Sequence, residues 1–361
     1  MPRLAPRSGD MRLVRRALAA LLLLLLLTAL LLAVEFGLRR PYTPALPDAP
    51  PVKAIASLEQ LPIRGVPQSV LIRGRDRTKP ILLFLHGGPG MPVMFLGHAF
   101  QRGLERDFVV VHWDRRGAGR SYDAWTPEAS SVRATLDDLH ALTAQLKRRF
   151  GQDRVYLVGH SWGTYLGLLA VHERPDLFSA YIGTGQMAAD PERVRDARQA
   201  FFEREARARG DEEMLGRLAA GGEITEDDLF RYGAELRGAE SFWPILMLGL
   251  RAPEYRLRDV LNVPKGSERL LRTMRYDVIE GPLDRNLLEF RVPIFFFLGR
   301  HDWNEPSTLA ADYLRRIRAP DKGLVWFEDA AHFPFLEQPE RFHGAMSALH
   351  RRLADRRPST P

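Results

Sequence analysis

The sequence predicts an α/β fold: a mostly parallel sheet flanked by helices, with an all-helical segment inserted before the last strands. Three observations carry that reading. Short and almost wholly apolar runs alternate with helical patterns, as expected of strands buried on both faces and joined by helical crossovers. Between Gln186 and about Leu288 the alternation stops and helical patterns follow one another. With 361 residues and 45% hydrophobic content, the chain can bury a large core in one domain that carries an insertion.

In chain order, the first apolar element is not part of the sheet. Ala17 to Val34, "ALAALLLLLLLTALLLAV", is an 18-residue run that as a helix would be about 27 Å long, close to the hydrocarbon thickness of a bilayer. A buried core helix would have to be hydrophobic on every side. The following "LLAVEFGLRR" offers no small-x-small cleavage site, so the run reads as an uncleaved signal-anchor, with secretion after cleavage as the alternative. Five arginines before it, against Arg39 and Arg40 after it, place the amino terminus in the cytoplasm and the rest of the chain outside. "RRPYTPALPDAPPV" then supplies five prolines, a semi-rigid spacer over 41–51, and the folded part is expected to start near Val52.

"SVLIRG" (69–74), "PILLFLHGG" (80–88) and "DFVVVHWD" (107–114) read as strands. Residues 132–149 place Val132, Leu136, Leu139, Leu142 and Leu146 at helical spacing, with Gly151 as a stop. "RVYLVG" (154–159) is a strand, "WGTYLGLLAVHE" (162–173) a helix and "AYIGTG" (180–185) a strand. "PERVRDARQAFFEREARARG", "TEDDLFRYGAELRG" and "SERLLRTMRYDVI" are the helical patterns of the insertion, a cap over 186–288. An insertion after a strand's carboxyl end sits over the crevice where such sheets bind ligands, which makes it a lid. "VPIFFFLG" (292–299) and "GLVWFED" (323–329) resume the sheet, so 52–185 and 289–355 form the core, closed by the amphipathic "RFHGAMSALHRRLADRR".

The net charge of +7 does not indicate nucleic acid. Residues 1–40 hold seven arginines against Asp10 and Glu35, leaving 45 basic and 43 acidic residues elsewhere. With no cysteine in the chain, disulfides, thiolate metal sites and a cysteine nucleophile are excluded.

"GHSWG" puts Ser161 on the turn between the strand 154–159 and the helix that follows. Small residues two before and two after it allow a sharp turn that holds a hydroxyl above the sheet, with the helix amino terminus behind it. A serine hydroxyl needs a base, and the base a carboxylate, here in the order acid then histidine after later strands. Asp302 follows "IFFFLGRH" and His332 follows "LVWFEDAA". Glu305 is the alternative acid, while His301, His86, His112 and His160 read as loop-orienting residues. "HGGPG" after the 80–88 strand offers backbone N–H groups, so Gly88, with Gly87 as alternative, and Trp162 are the expected oxyanion donors. Asp114, Arg115 and Arg116 of "DRRGAGRS" read as ties between loops.

The motifs "HGGPG", "DRRGAGRS", "GHSWG", "GRHDW" and "AAHFPFLEQPERF", spread over about residues 80–345, resemble α/β-hydrolases of the proline iminopeptidase type. The resemblance implies serine-dependent release of an amino-terminal residue, often proline, without metal or other cofactor. It also assigns Ser161, Asp302 and His332 as the triad and Gly88 and Trp162 as oxyanion donors. Thr164 stands where the family usually has a second glycine, and the anchor is foreign to its soluble members. Relatives hold the substrate ammonium with acidic cap residues, for which Glu240 and Glu254 are the candidates here. Trp243 and Phe333, with Phe242, are candidates for lining the acyl pocket. The expected partner is a small peptide or ester. The alternatives are a carboxylesterase or lactonase using the same triad, or a non-catalytic binding protein.

Overall fold

The computed structural model describes residues 8–38, 41–46, 49–50, 52–279 and 281–355. The strands are β1 (Ile55–Ile63), β2 (Val66–Gly74), β3 (Ile81–Leu85), β4 (Val109–Trp113), β5 (Val155–His160), β6 (Phe178–Thr184), β7 (Ile294–Gly299) and β8 (Lys322–Phe327). They form one eight-stranded sheet in the order β1-β2-β4-β3-β5-β6-β7-β8. From β4 to β8 every pairing is parallel, while β1–β2 and β2–β4 are antiparallel. The fold is thus the predicted α/β architecture.

Helix α1 (Ser8–Leu38) precedes the sheet, and its stretch Leu13–Leu31 is long and apolar enough to cross a membrane. By length and composition alone, a signal sequence meets the same test. Helix α2 (Val132–Phe150) starts where Ser131 accepts a hydrogen bond from the Ala134 N–H and stops at Gly151, whose φ of 62° ends it in the left-handed region. Helix α3 (Trp162–Glu173) is buried from Trp162 to Val171, so its near-continuous apolar sequence suits a central position.

The cap lies between β6 and β7. It contains α4 (Pro191–Arg209), α5 (Glu212–Ala219), α6 (Glu226–Arg231), α7 (Trp243–Arg251) and α8 (Leu257–Thr273). Two of its sequence patterns need correction. "TEDDLFRYGAELRG" is helical only to Arg231, because Gly233 takes φ 65° and turns the chain away. "SERLLRTMRYDVI" belongs to a helix that begins earlier, at Leu257, and ends at Thr273. Helices α9 (Ser307–Arg316) and α10 (Pro339–Asp355) complete the core.

Two elements were not expected from the sequence. β1 pairs along β2 through a turn at Arg64 (φ 47°) and Gly65 (φ 81°), a left-handed pair that suits a tight hairpin. Residues 41–46, expected to be spacer, are fastened to the domain: Tyr42 N–H donates to the Pro253 carbonyl at 3.1 Å, and the Arg73 guanidinium donates to Thr43 Oγ1 and the Pro44 carbonyl.

The strand order also places the site. The chain leaves β3 to one side, for β4, and returns to the other, for β5, so β3 and β5 are neighbours whose following loops diverge. Their register pairs Leu85 with Gly159. The "HGGPG" loop and Ser161 therefore emerge side by side at the carboxyl ends of the strands.

Candidate active site

Ser161 occupies the β5–α3 junction with φ 52° and ψ −126°, a conformation that non-glycine residues rarely adopt. Its surroundings hold it there. The Ser161 N–H donates to the Thr184 carbonyl at 3.0 Å, and the Ser161 carbonyl accepts from Thr164 N–H at 2.7 Å and Thr164 Oγ1 at 2.6 Å. Thr164 thus has a local task at the position where a second glycine was expected. A methyl group at Gly159 would lie 2.8 Å from the Gly163 carbonyl, and one at Gly163 would collide with the Leu85 carbonyl. Strand, turn and helix approach this closely only without side chains.

The β3 loop presses on the same point. A Cβ on Gly87 would lie 2.7 Å from Ser161 Cβ and 3.3 Å from its Oγ. Gly87 is therefore the glycine against the serine, while Gly88, at φ 58°, leans toward Met91, and its carbonyl accepts from Ser267 Oγ of α8 at 2.8 Å. The loop's carbonyls are gathered on the far side by Arg115, whose Nη2 donates to the His86 carbonyl at 2.7 Å and the Pro89 carbonyl at 2.9 Å. The Arg115 guanidinium carbon also lies 4.6 Å over the Trp162 ring. Arg115 is 3% exposed, so this fork is a fixed part of the site. Asp114 and Arg116 tie loops together as expected: Asp114 accepts from Tyr255 OH and Arg120 N–H, and Arg116 grips Asp138 through two bonds.

Asp302 and His332 meet. His332 Nδ1 lies 2.9 Å from Asp302 Oδ2, with both residues 1% exposed. The other oxygen, Oδ1, accepts from Glu305 N–H at 2.9 Å, so Asp302 rather than Glu305 holds the ring. The turns after β7 and β8 touch where Gly299 faces the Ala331 carbonyl with no room for a side chain. Gly185, directly after Thr184, stands against the imidazole: a Cβ there would be 2.6 Å from His332 Cε1. Ser161, bonded to Thr184, and His332, packed on Gly185, thus border the same end of β6. His160 packs against His332 with ring centroids 4.8 Å apart and the planes tilted by 53°, and burial holds it well below its usual pKa, so it packs as a neutral ring.

Several further residues shape this corner. Glu337 accepts from the N–H groups of Arg237, Ala331 and Phe333 at 2.8–3.1 Å and so brackets the His332 loop. The cap segment that follows Gly233 inserts between the two loops: the Ala234 carbonyl accepts from Trp303 N–H and the Glu235 carbonyl from His332 N–H. Glu235 is 6% exposed, and its Oε2 has no hydrogen-bond partner among the described residues. Burial pushes both Glu235 and Glu305 up to about 7. For His332, burial disfavours the charged ring, yet Asp302, Glu235 and Glu305 together outweigh it and raise the imidazole to about 9.

The expected amine-binding acids lie elsewhere. Glu240 is exposed, because the chain after Gly233 points its first "GAE" inward and its second outward, and Glu254 is buried toward Thr43 and Arg73. Trp243 is 61% exposed on α7. Phe242 packs on Phe230 within the cap. Phe333 is buried against His160, at 4.6 Å between centroids, beside the candidate base. His301 interacts with the Glu328 backbone, and His112 bonds Gln101 Oε1 at 2.7 Å within the aromatic core. A cavity of about 600 Å³ borders Glu305 and is lined by Met187, Val194, Arg198, Leu218 and Ile224.

A strained serine at a strand–helix turn, beside a buried imidazole–carboxylate pair and beneath a helical cap, is the arrangement of a hydrolase built on this type of sheet. The chain belongs to the α/β-hydrolase fold family, whose model matches residues 80–339. Among its relatives, it is 31% identical over 310 residues to "Probable aminopeptidase YbaC" of Bacillus subtilis (strain 168), covering 82% of this chain and 97% of that one. It is 24% identical over 269 residues to a proline iminopeptidase of Heyndrickxia coagulans, covering 72% and 87%. In fold it resembles the crystal structure of a proline iminopeptidase from Mycobacterium smegmatis, with a TM-score of 0.59 at 19% identity over 82% of this chain and 98% of that one.

Proposed function

We propose that this hydrolase is a membrane-anchored serine aminopeptidase that releases amino-terminal residues from peptides by acyl transfer. Ser161 Oγ attacks the scissile carbonyl while its proton passes to His332 Nε2, and Asp302 keeps the ring oriented and stabilises its charged form. Backbone N–H groups of the Gly87–Gly88 loop and of Trp162, at the amino terminus of α3, receive the developing oxyanion. The carbon–nitrogen bond breaks, the leaving amine takes the proton from His332, and water then releases the acyl group by the same steps in reverse. The observation that carries this reading is the 2.9 Å bond between His332 Nδ1 and Asp302 Oδ2 beside the strained Ser161.

The peptide preference rests on Glu235 and Glu305, two acids sunk beside the base. A substrate ammonium placed between them restores their ionised forms and is held by them. Glu235 and Glu305 take the place of Glu240 and Glu254 in this role.

Ser161→Ala is expected to lower turnover by at least about 10³-fold and to abolish labelling by a serine-directed phosphonate. Retained labelling would refute the nucleophile. Comparing proline naphthylamide with a short nitrophenyl ester separates the two hydrolase readings: a kcat/KM for the ester equal to or above that for the amide identifies an esterase.

A further inference from the structure

The chain enters its folded domain beside a basic cavity that neither the sheet nor the active site uses. The cavity measures about 520 Å³, with Pro44 and Leu46 forming one wall and Arg75, His98, Arg102 and Arg106 among its other lining residues. Arg102 and Arg106 are exposed, and neither makes an ion pair among the described residues. Of the acids that line the cavity, Glu105 is paired with the buried Arg73 at 2.6 Å, and Glu254 is turned toward Thr43 and Arg73. Burial, with the charges of Arg102 and Arg251 adding to it, holds the His98 pKa below the usual value.

The position of this cavity follows from chain length. The apolar stretch ends at Leu31, α1 continues to Leu38, and Tyr42 is already bonded to Pro253. Seven helical residues rise about 10 Å and four further residues reach at most about 14 Å, so the cavity wall stands within roughly 25 Å of the hydrocarbon edge. A domain of this size is roughly 50 Å across, which makes the tethered face the one turned to the headgroups.

We propose that this cavity binds the phosphate headgroup of an anionic phospholipid in the bilayer that α1 spans, through Arg102 and Arg106, and so fixes the domain's orientation on the membrane. The proposal rests on the anchor reading above. Basic side chains close to an anionic leaflet each strengthen binding roughly five-fold, and the wall formed by residues 44–46 places them where the tether delivers the lipid.

The test uses the full chain in phosphatidylcholine-based mixed micelles, titrated with phosphatidylglycerol, with the thermal midpoint as readout. Phosphatidylglycerol is expected to raise the midpoint by roughly 3–6 °C while added phosphatidylcholine does not. In R102Q/R106Q the lipid concentration giving half the shift should rise about 25-fold, whereas the distant surface variant R315Q responds like the wild type. An equal response of wild type and R102Q/R106Q, or an equal shift with inorganic phosphate at matched concentration, overturns the lipid site. Alkaline carbonate extraction of membranes from expressing cells tests the anchor separately. A chain released by carbonate overturns the anchor and this proposal with it, while an anchored chain indifferent to phosphatidylglycerol overturns the lipid site alone.

Discussion

Three carboxyl groups face His332, and only Asp302 is bonded to it. The other two, Glu235 and Glu305, act through space. Their ionised forms favour the imidazolium, and a base held protonated at neutral pH cannot accept the serine proton. For the free enzyme, kcat/KM should therefore climb through the alkaline range toward about 9, as His332 loses its proton. Glu305→Gln removes one negative charge, which destabilises the imidazolium and moves that limb to lower pH by on the order of 0.5–1 unit. At pH 7 the variant should hydrolyse a nitrophenyl ester faster than the wild type, because more of its His332 is neutral. The same variant should lose about tenfold in kcat/KM on proline naphthylamide, whose ammonium has lost a partner. pH–rate profiles on both substrates check this. A limb that stays in place, or moves upward, would show that Glu305 does not act on the base.

Among the elements, Arg115 joins the two to which the proposed mechanism assigns the oxyanion donors, since it binds the carbonyls of the β3 loop and lies over Trp162 at the start of α3. Lysine keeps the charge but lacks the planar guanidinium that lies over the Trp162 ring while its Nη2 meets the His86 and Pro89 carbonyls. Arg115→Lys should lower kcat by about 10- to 100-fold, with KM within about twofold, since the donors engage the transition state more than the bound substrate. A rise in KM at unchanged kcat would instead place Arg115 in substrate binding. This bridge joins "DRRG" to "HGGPG" and "GHSWG", motifs that stand out in the sequence while the geometry joining them does not. The five strands from β3 to β7 are legible because burial leaves them almost wholly apolar, and β8, half-exposed at the other sheet edge, is legible from the run Leu324 to Phe327. β1 is not, because it lies at the sheet edge and tolerates Glu59, Gln60 and Pro62, and its turn uses Arg64 and Gly65 rather than an Asn-Gly signal. That Ser161, Asp302 and His332 each follow a strand end is legible from the order of apolar runs, while the 2.9 Å contact between His332 and Asp302 is visible only in the fold. Glu235 was hidden inside a helical pattern that Gly233 interrupts, and only the tertiary fold tells its "GAE" from the exposed one five residues later.

At the scale of the whole molecule, the boundary between tether and domain is set by hydrogen bonding rather than by composition. The prolines of residues 41–51 read as spacer, and nothing in their pattern shows that Arg73 depends on them. Yet Arg73 is 7% exposed, and its guanidinium is satisfied by Glu105 on one side and by Thr43 Oγ1 and the Pro44 carbonyl on the other. Removing that second set leaves a buried cation partly unpaired, at a cost of about 2 kcal/mol. A soluble form beginning at Pro41 should therefore keep the thermal midpoint of the full chain's domain. One beginning at Val52 should melt roughly 4 °C lower. The difference should shrink in an Arg73→Met background, where no guanidinium is left to satisfy. Scanning calorimetry on the four soluble forms, the two starts each with and without Arg73→Met, measures it. Equal midpoints for the Pro41 and Val52 forms would return residues 41–46 to the role of a passive spacer.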